Sequence, residues 1–242
     1  MIKNLTLLIL GFLDFFHKKK ILNFLIKSNL PIINIFFDIG AHKGETIIFF
    51  GKNLKLKKIY SFEASPLTYK ILLNNLRKIK RKLPKIDIKL ENIALGSSNN
   101  KIKIKHFNES SSSTIKDINT YSNYFKKKKN FLFGIGKSNY YKEVSINQTT
   151  IDDYMVLNNI KEIDLLKIDA EGSEYEIVKG CFKNLKNIKI ILFEHHYDDM
   201  IFKGYKFKDI NDFLLQNNFK QIFKIKMPLR KTFEYIYKNK AY

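Results

Sequence analysis

The chain has 242 residues, which suits one domain of ordinary size and is short for two full domains. Its formal net charge is +21, yet only three of its 44 basic residues are arginine, the side chain best suited to phosphates and base edges. We therefore disfavour nucleic acid as a partner. The single cysteine excludes an internal disulfide and suits a reducing compartment, so we expect a cytoplasmic protein.

The N-terminal segment, residues 1–30, is predicted to be helical in two pieces. The apolar run Leu5–Phe16 is shorter than the ~20 residues that span a bilayer, and Asp14 interrupts it. Basic residues follow the run, which is the reverse of a signal peptide. We expect a helix packed on the domain, with weak contact to the inner, anionic membrane surface as the alternative. A second helix, near Ile21–Lys27, ends before Pro31.

The stretch Phe36–Thr46 is predicted to run from a buried strand, Ile32–Asp38, through a glycine turn into a helix that begins at Gly44. Such a turn cradles a nucleotide cofactor. A dinucleotide needs glycine two residues after Gly40, where His42 stands, and Asp38 would repel its phosphates. S-adenosylmethionine carries no phosphate, and its amino group suits Asp38. We therefore predict S-adenosylmethionine as the cofactor.

A second predicted strand ends on Glu63, 23 residues after Gly40, where a carboxylate can take both hydroxyls of a ribose. Ser65 and Pro66 then begin a helix that runs to Lys82. A third strand is predicted at Ile86–Leu90. Lysine and isoleucine then alternate over Lys101–Lys105, which predicts a strand with one solvent-exposed face.

Residues 107–141 lack periodicity and are predicted to form a loop or lid over the site. The predicted elements after it are the strand Val144–Ile146, the helix Ile151–Leu157, the strand Ile163–Asp169, the helix Glu171–Leu185, the strand Ile188–Phe193, the helix Phe207–Asn218 and the strands Phe219–Ile225 and Phe233–Tyr237. Alternating strands and helices predict an α/β domain, 31–242, with a mostly parallel sheet and helices on both faces. The closing strands predict an antiparallel pair at one edge, which is the layout of class I methyltransferases.

The candidate catalytic residues follow two neighbouring predicted strands. Asp169 follows one, and Glu194 and His195 follow the other, so the carboxyl ends of both strands bring them to one crevice. His195 has the side chain whose ordinary pKa suits a base near neutral pH, with Asp169 or Glu194 orienting it. With Glu171 and Asp198 the same residues offer magnesium ligands, but hydrogen bonds to cofactor and acceptor explain them as well, and we predict no metal.

The chain also resembles the FkbM-type S-adenosylmethionine-dependent methyltransferases over about residues 35–196. The matching pieces, in the order of the family, are Asp38–Thr46, Ser61–Pro66, Asn92–Gly96, Leu166–Glu174, Val178–Gly180 and Phe193–His196. The resemblance implies a class I fold and methyl transfer to a hydroxyl of a sugar, glycan or secondary metabolite. It implies that the methionine end contacts Asp38, Gly40, Ala41 and Gly44, the ribose Glu63, and the adenine Asn92 and Ala94.

Two other functions remain as alternatives. A nucleic-acid-binding or nucleic-acid-modifying protein would use the lysine-rich surface and would show steep salt dependence of binding. An NAD-dependent oxidoreductase would need the glycine that His42 replaces.

Overall fold

The computed structural model describes residues 2–28, 32–107, 113–133 and 141–242, which contain seven α-helices and thirteen strands. The helices are α1 (Ile2–Lys27), α2 (Glu45–Asn53), α3 (Pro66–Lys82), α4 (Asn123–Phe133), α5 (Ile151–Leu157), α6 (Glu174–Lys179) and α7 (Phe207–Gln216), with a 3₁₀ turn at Phe182–Asn187. The strands are β1 (Ile33–Ile39), β2 (Leu56–Phe62), β3 (Asp87–Glu91), β4 (Ala94–Leu95), β5 (Asn100–Phe107), β6 (Ser113–Thr114), β7 (Asp117–Ile118), β8 (Tyr141–Thr149), β9 (Ile163–Ile168), β10 (Ile188–His196), β11 (Ile201–Phe202), β12 (Phe219–Lys226) and β13 (Thr232–Asn239).

Seven strands form the large sheet, in the order β12-β13-β10-β9-β1-β2-β3. The five strands from β10 to β3 are parallel, and β13 runs antiparallel to both β10 and β12. The predicted α/β fold with a closing antiparallel pair is therefore confirmed.

The large sheet is covered on both faces, which explains why β9 is buried at all six positions. Helices α5, α6 and α7 pack on one face, around Phe37, Leu166 and Phe193. Helices α1, α2 and α3 pack on the other face, around Phe36 and Leu165, and we call this the α1 face. Since side chains alternate along a strand, each strand sends every second residue to the α1 face.

A small sheet of four strands, β4-β8-β5-β6, lies beside the large one and was not predicted as a separate sheet. Its strand β5 shows the predicted alternation, with Lys101 and Lys103 exposed and Ile104 buried. The small sheet approaches the end of α6 closely, because a Cβ atom on Gly180 would lie 1.9 Å from the backbone oxygen of Gly96, the residue after β4.

The N-terminal segment forms one continuous helix rather than two, because the lysines between the expected pieces are good helix formers. The second half of α1 belongs to the core of the α1 face through Ile21, Leu22 and Leu25. Among the described residues, no helix has the length and apolar character to cross a membrane. Pro31 lies outside the described residues, and the division of the chain at residue 30 stays a prediction.

Two further expectations are corrected. The helix predicted over Glu171–Leu185 is shorter, because Glu171 and Gly172 have φ values of +48° and +99°, which no helix accepts. The segment expected to be a loop contains β6, β7 and the eleven-residue helix α4. Residues 108–112 and 134–140 of this predicted lid lie outside the described residues, and its closure over the site stays a prediction.

Candidate active site

A cavity of about 940 Å³ lies at the carboxyl edge of the large sheet, between α1 and the small sheet. Residues at or just after the ends of β1, β2, β9 and β10 line its floor, among them Gly40, Glu63, Asp169 and Glu194. Ligands of open α/β sheets bind in this position, so the cavity is the candidate active site.

Gly40 makes the turn after β1, where its φ of +80° is in the left-handed region. A Cβ atom there would lie 1.9 Å from the backbone oxygen of Asp169, so only glycine lets the ends of β1 and β9 meet. Gly44 has a φ of +94°, and a Cβ atom there would lie 2.6 Å from Ile79. Gly40 lines the cavity. Gly44 and the buried Ala41 belong to the same turn but are not part of the cavity wall.

Glu63 lines the cavity at the end of β2 and is only 7% exposed. One carboxylate oxygen accepts the backbone N–H of His42 and the other that of Ser65, each at 2.9 Å. Burial raises the pKa of this carboxyl to about 7. Asn92 donates to the backbone oxygen of Glu63 at 2.8 Å and lies outside the cavity wall, whereas Ala94 is part of that wall.

Lys167 lines the cavity and lies between the buried carboxylate of Asp38 and the partly exposed carboxylate of Asp169. Its Nζ atom is 3.5 Å from Asp38 Oδ1 and 3.3 Å from Asp169 Oδ2. Although burial lowers the pKa of Lys167, the charges of Asp169 and Asp38 raise it above its ordinary value. Burial raises the pKa of Asp38, which makes no hydrogen bond through either carboxylate oxygen.

The predicted place of Asp38 is therefore corrected. Asp38 is fully buried beneath the Gly40 turn and does not reach the cavity wall. It contacts the cavity only through Lys167, whose ammonium it neutralises.

Glu194 and His196 form the second polar group of the cavity, at the end of β10. His196 Nε2 lies 3.0 Å from Glu194 Oε1, and His196 Nδ1 lies 3.1 Å from Thr232 Oγ1 and 3.5 Å from Asp198 Oδ2. Although burial lowers the pKa of His196, its bonds to Asp198 and Glu194 and the charge of Glu171 raise it well above the ordinary value. Burial raises the pKa of Glu194 to about 7. The pair thus combines a charged imidazole with a carboxyl that titrates near neutral pH.

His195 does not lie in the cavity, which corrects its predicted place beside the acceptor. Because β10 continues to residue 196, the side chains alternate, and His195 points to the face opposite Glu194. There its Nδ1 lies 3.3 Å from the hydroxyl of Tyr205, which donates to Glu174 at 2.6 Å. Burial lowers the pKa of His195 to about 4, so it is neutral at physiological pH.

Helix α1 closes the cavity through residues that the sequence did not indicate. His17 Nε2 lies 2.5 Å from Glu234 Oε2 of β13, and both side chains are buried. Asp14 forms an ion pair at 2.8 Å with Arg230, in the turn between β12 and β13. Lys18 lies on the same wall.

Of the residues that suggested a magnesium site, Asp169, Glu171, Glu194 and Asp198 line the cavity, and His195 does not. Among the described residues, no group of three or more histidine, cysteine, aspartate or glutamate side chains is arranged to hold a metal ion. His195 faces away from the cavity, and His196 is hydrogen-bonded to Glu194 and within ion-pair distance of Glu171 and Asp198.

The protein-family model of the methyltransferase FkbM domain matches residues 38–220 of this sequence, which is most of the chain. The chain belongs to the FkbM methyltransferase family. The matched region contains the Gly40 turn, Glu63, Lys167 and the pair of Glu194 and His196, and it excludes α1 and β13.

Solved structures show the same fold at low sequence identity. The methyltransferase FkbM from Methylobacillus flagellatus matches with a TM-score of 0.56 and 14% identity, over 85% of this chain and 43% of that one. Magnesium protoporphyrin IX methyltransferase from Synechocystis PCC 6803, solved with bound S-adenosylmethionine, matches with a TM-score of 0.51 and 9% identity, over 95% of this chain and 79% of that one. This chain therefore spans less than half the length of the FkbM structure. No curated protein matches it.

Proposed function

We propose that the chain transfers the methyl group of S-adenosylmethionine to a hydroxyl oxygen of a small-molecule acceptor such as a sugar or glycan. The observation that carries the proposal is one cavity shared by the Gly40 turn, Glu63 and the pair of Glu194 and His196. Family membership supports methyl transfer. The pair supports a hydroxyl acceptor, because such a group gives up a proton that a nearby carboxylate can take.

The residues of the cavity fit this cofactor. Each oxygen of Glu63 accepts one backbone N–H and keeps a lone pair for a ribose hydroxyl. The acids Glu45 and Asp169 lie on the wall, where they favour a sulfonium cation and disfavour the phosphates of a dinucleotide. When bound, the cofactor supplies a methyl group that an oxygen nucleophile can attack.

Two groups of residues prepare the acceptor in this proposal. Glu194 takes the hydroxyl proton, since its pKa of about 7 suits a base at neutral pH. His196, charged and bonded to Glu194, holds that carboxylate in place. Asp169 is oriented by Lys167 and lies on the same wall, where it can accept a second hydrogen bond from the acceptor.

Titration calorimetry tests the cofactor assignment. We expect S-adenosylmethionine and S-adenosylhomocysteine to bind and NAD to bind far more weakly. Tighter binding of NAD would overturn the proposal. A screen of sugar and glycan acceptors with labelled S-adenosylmethionine then tests the hydroxyl acceptor.

The Glu63→Gln variant is expected to bind S-adenosylmethionine about tenfold to a hundredfold more weakly, because charge-assisted hydrogen bonds of about 1.5–3 kcal/mol are lost. Glutamine keeps the size of the side chain and one acceptor oxygen. Thermal unfolding without ligand serves as the control for an intact fold. Unchanged affinity in a folded variant would remove Glu63 from the ribose site.

The affinity for S-adenosylmethionine is expected to rise with pH through about 7, the pKa of Glu63. Ribose hydroxyls bind the ionised carboxylate, so protonation opposes binding by up to about tenfold for each pH unit below this value. Calorimetry at several pH values around 7 should show that the affinity of the wild type for S-adenosylmethionine increases with pH. The affinity of Glu63→Gln should change less over the same pH values. Equal slopes in both proteins would contradict the assignment.

A further inference from the structure

The outer part of α1 presents aromatic rings to solvent. Phe12, Phe15 and Phe16 are 62%, 50% and 45% exposed, although they are large apolar side chains. They contact one another, with ring centroids 4.7 Å and 5.7 Å apart. The sequence of this half of the helix is apolar on nearly all sides. Such a helix cannot bury every side against one domain, so part of it is left for a partner.

A second exposed apolar residue lies in the turn between β12 and β13. Leu229 is 79% exposed and has a φ of +59°. It follows Pro228, in a turn position where glycine or asparagine is usual, because a branched side chain is strained there. An exposed leucine gains no packing energy in the free protein to offset that strain. The residue therefore points to a contact outside the chain.

The two features border the same cavity, because Phe15 and Leu229 both line it. Arg230, next to Leu229 in the turn, pairs with Asp14 of α1 at 2.8 Å. We call Phe12, Phe15, Phe16 and Leu229 the docking surface.

Charge identifies the partner that this surface fits. Exposed lysines flank it on both elements, namely Lys19 and Lys20 on α1 and Lys226 and Lys231 beside the turn. They suit anionic lipid head groups. A second copy of the chain would carry the same net charge of +21 and would be repelled.

We propose that the docking surface binds an anionic lipid bilayer, with α1 lying along the interface and Leu229 inserted beside it. The region matched by the FkbM family includes neither α1 nor this turn. Since Phe15 and Leu229 line the cavity, binding would turn its mouth toward the head groups. The inference is independent of the proposed function and can be tested without turnover.

The absence of tryptophan from the chain provides a direct test. The Phe12→Trp variant carries a single fluorescent reporter in the docking surface. The matched control is Phe182→Trp, because Phe182 is 60% exposed and lies before β10, at the opposite edge of the sheet. We expect vesicles of equal parts phosphatidylcholine and phosphatidylglycerol to shift the emission of Phe12→Trp to shorter wavelength and to leave Phe182→Trp unchanged. Added salt and pure phosphatidylcholine vesicles should each reduce the shift.

A second pair of variants tests the turn. Leu229→Asn removes the apolar side chain and places a residue that tolerates this φ, so its thermal stability should equal or exceed that of the wild type. Its partition onto the anionic vesicles should fall about tenfold, the loss expected for one leucine removed from an apolar contact. Leu157→Asn is the control, since Leu157 is 83% exposed at the end of α5, far from the cavity.

Three results would overturn the inference. The first is no spectral shift, or an equal shift at both reporters. The second is equal vesicle binding by Leu229→Asn and Leu157→Asn. The third is a shift in Phe12→Trp that grows with protein concentration without vesicles, which would identify a second copy as the occupant.

Discussion

The Lys167→Met variant is expected to lose about 3–5 kcal/mol of the free energy of unfolding, the usual loss when one partner of a buried ion pair is removed. Lys167 is 6% exposed and is the cation between Asp38 and Asp169. Methionine fills similar space but leaves the buried carboxylate of Asp38 without its cation, beside the partly exposed Asp169. Urea unfolding of both proteins measures the difference.

The pH dependence of this loss gives a second measurement. Burial already raises the pKa of Asp38, and without the charge of Lys167 it rises further above that of the unfolded chain, so the folded variant binds more protons than the unfolded one. Stability of the variant relative to the wild type then rises as pH falls, and the deficit should shrink from neutral to acid pH. Lys89→Met is the control, because Lys89 is 44% exposed in its pair with Glu91 and should cost about 1 kcal/mol or less. A deficit no larger than that of the control would contradict the prediction.

The Glu194→Gln variant is expected to lower turnover about 10²–10⁴-fold while the affinity for S-adenosylmethionine stays nearly unchanged. Glutamine keeps the shape of the side chain but cannot accept the proton of the acceptor hydroxyl. In the wild type, turnover should increase as pH is raised through about 7, the pKa of Glu194. The variant should not show this increase. Single-turnover kinetics with an identified acceptor measure both effects.

His195→Gln is the matched control on the same strand. His195 faces Tyr205 on the far side of the sheet, so turnover should stay within a few-fold of the wild type once the fold is checked by thermal unfolding. Loss of turnover in His195→Gln with full activity in Glu194→Gln would return the role of base to His195.

Much of the fold could be predicted because its signals are local. The buried run before Gly40 and the Ser65–Pro66 helix start lie within a residue or two of the observed boundaries. Gly40 and Glu63, which end two of these local patterns, lie on the cavity wall, and their contact with the cofactor stays a prediction. The small sheet could not be predicted, because its pairing joins β5 to β8 across the irregular segment between them.

The errors in the candidate site come from side-chain direction. The predicted strand ends at Phe193, whereas β10 continues to His196, so that Glu194 and His195 point to opposite faces. Had the strand been extended by three residues, alternation would have placed His196 beside Glu194. The roles of His17 and Glu234 had no local signal, because the two residues are 217 positions apart in the chain.

In the proposed function, the position of α1 also separates acceptor choice from chemistry. The helix supplies one wall of the cavity and precedes the residues matched by the family, whereas Glu63 and Glu194 lie within them. Two contacts, from Asp14 and His17, join this wall to the turn and to β13. A chimera that exchanges only the outer half of this helix, and that keeps Asp14, His17 and the buried second half, would therefore reshape the entrance and leave Glu63 and Glu194 in place. The acceptor specificity of the proposed reaction is then expected to change independently of its chemistry.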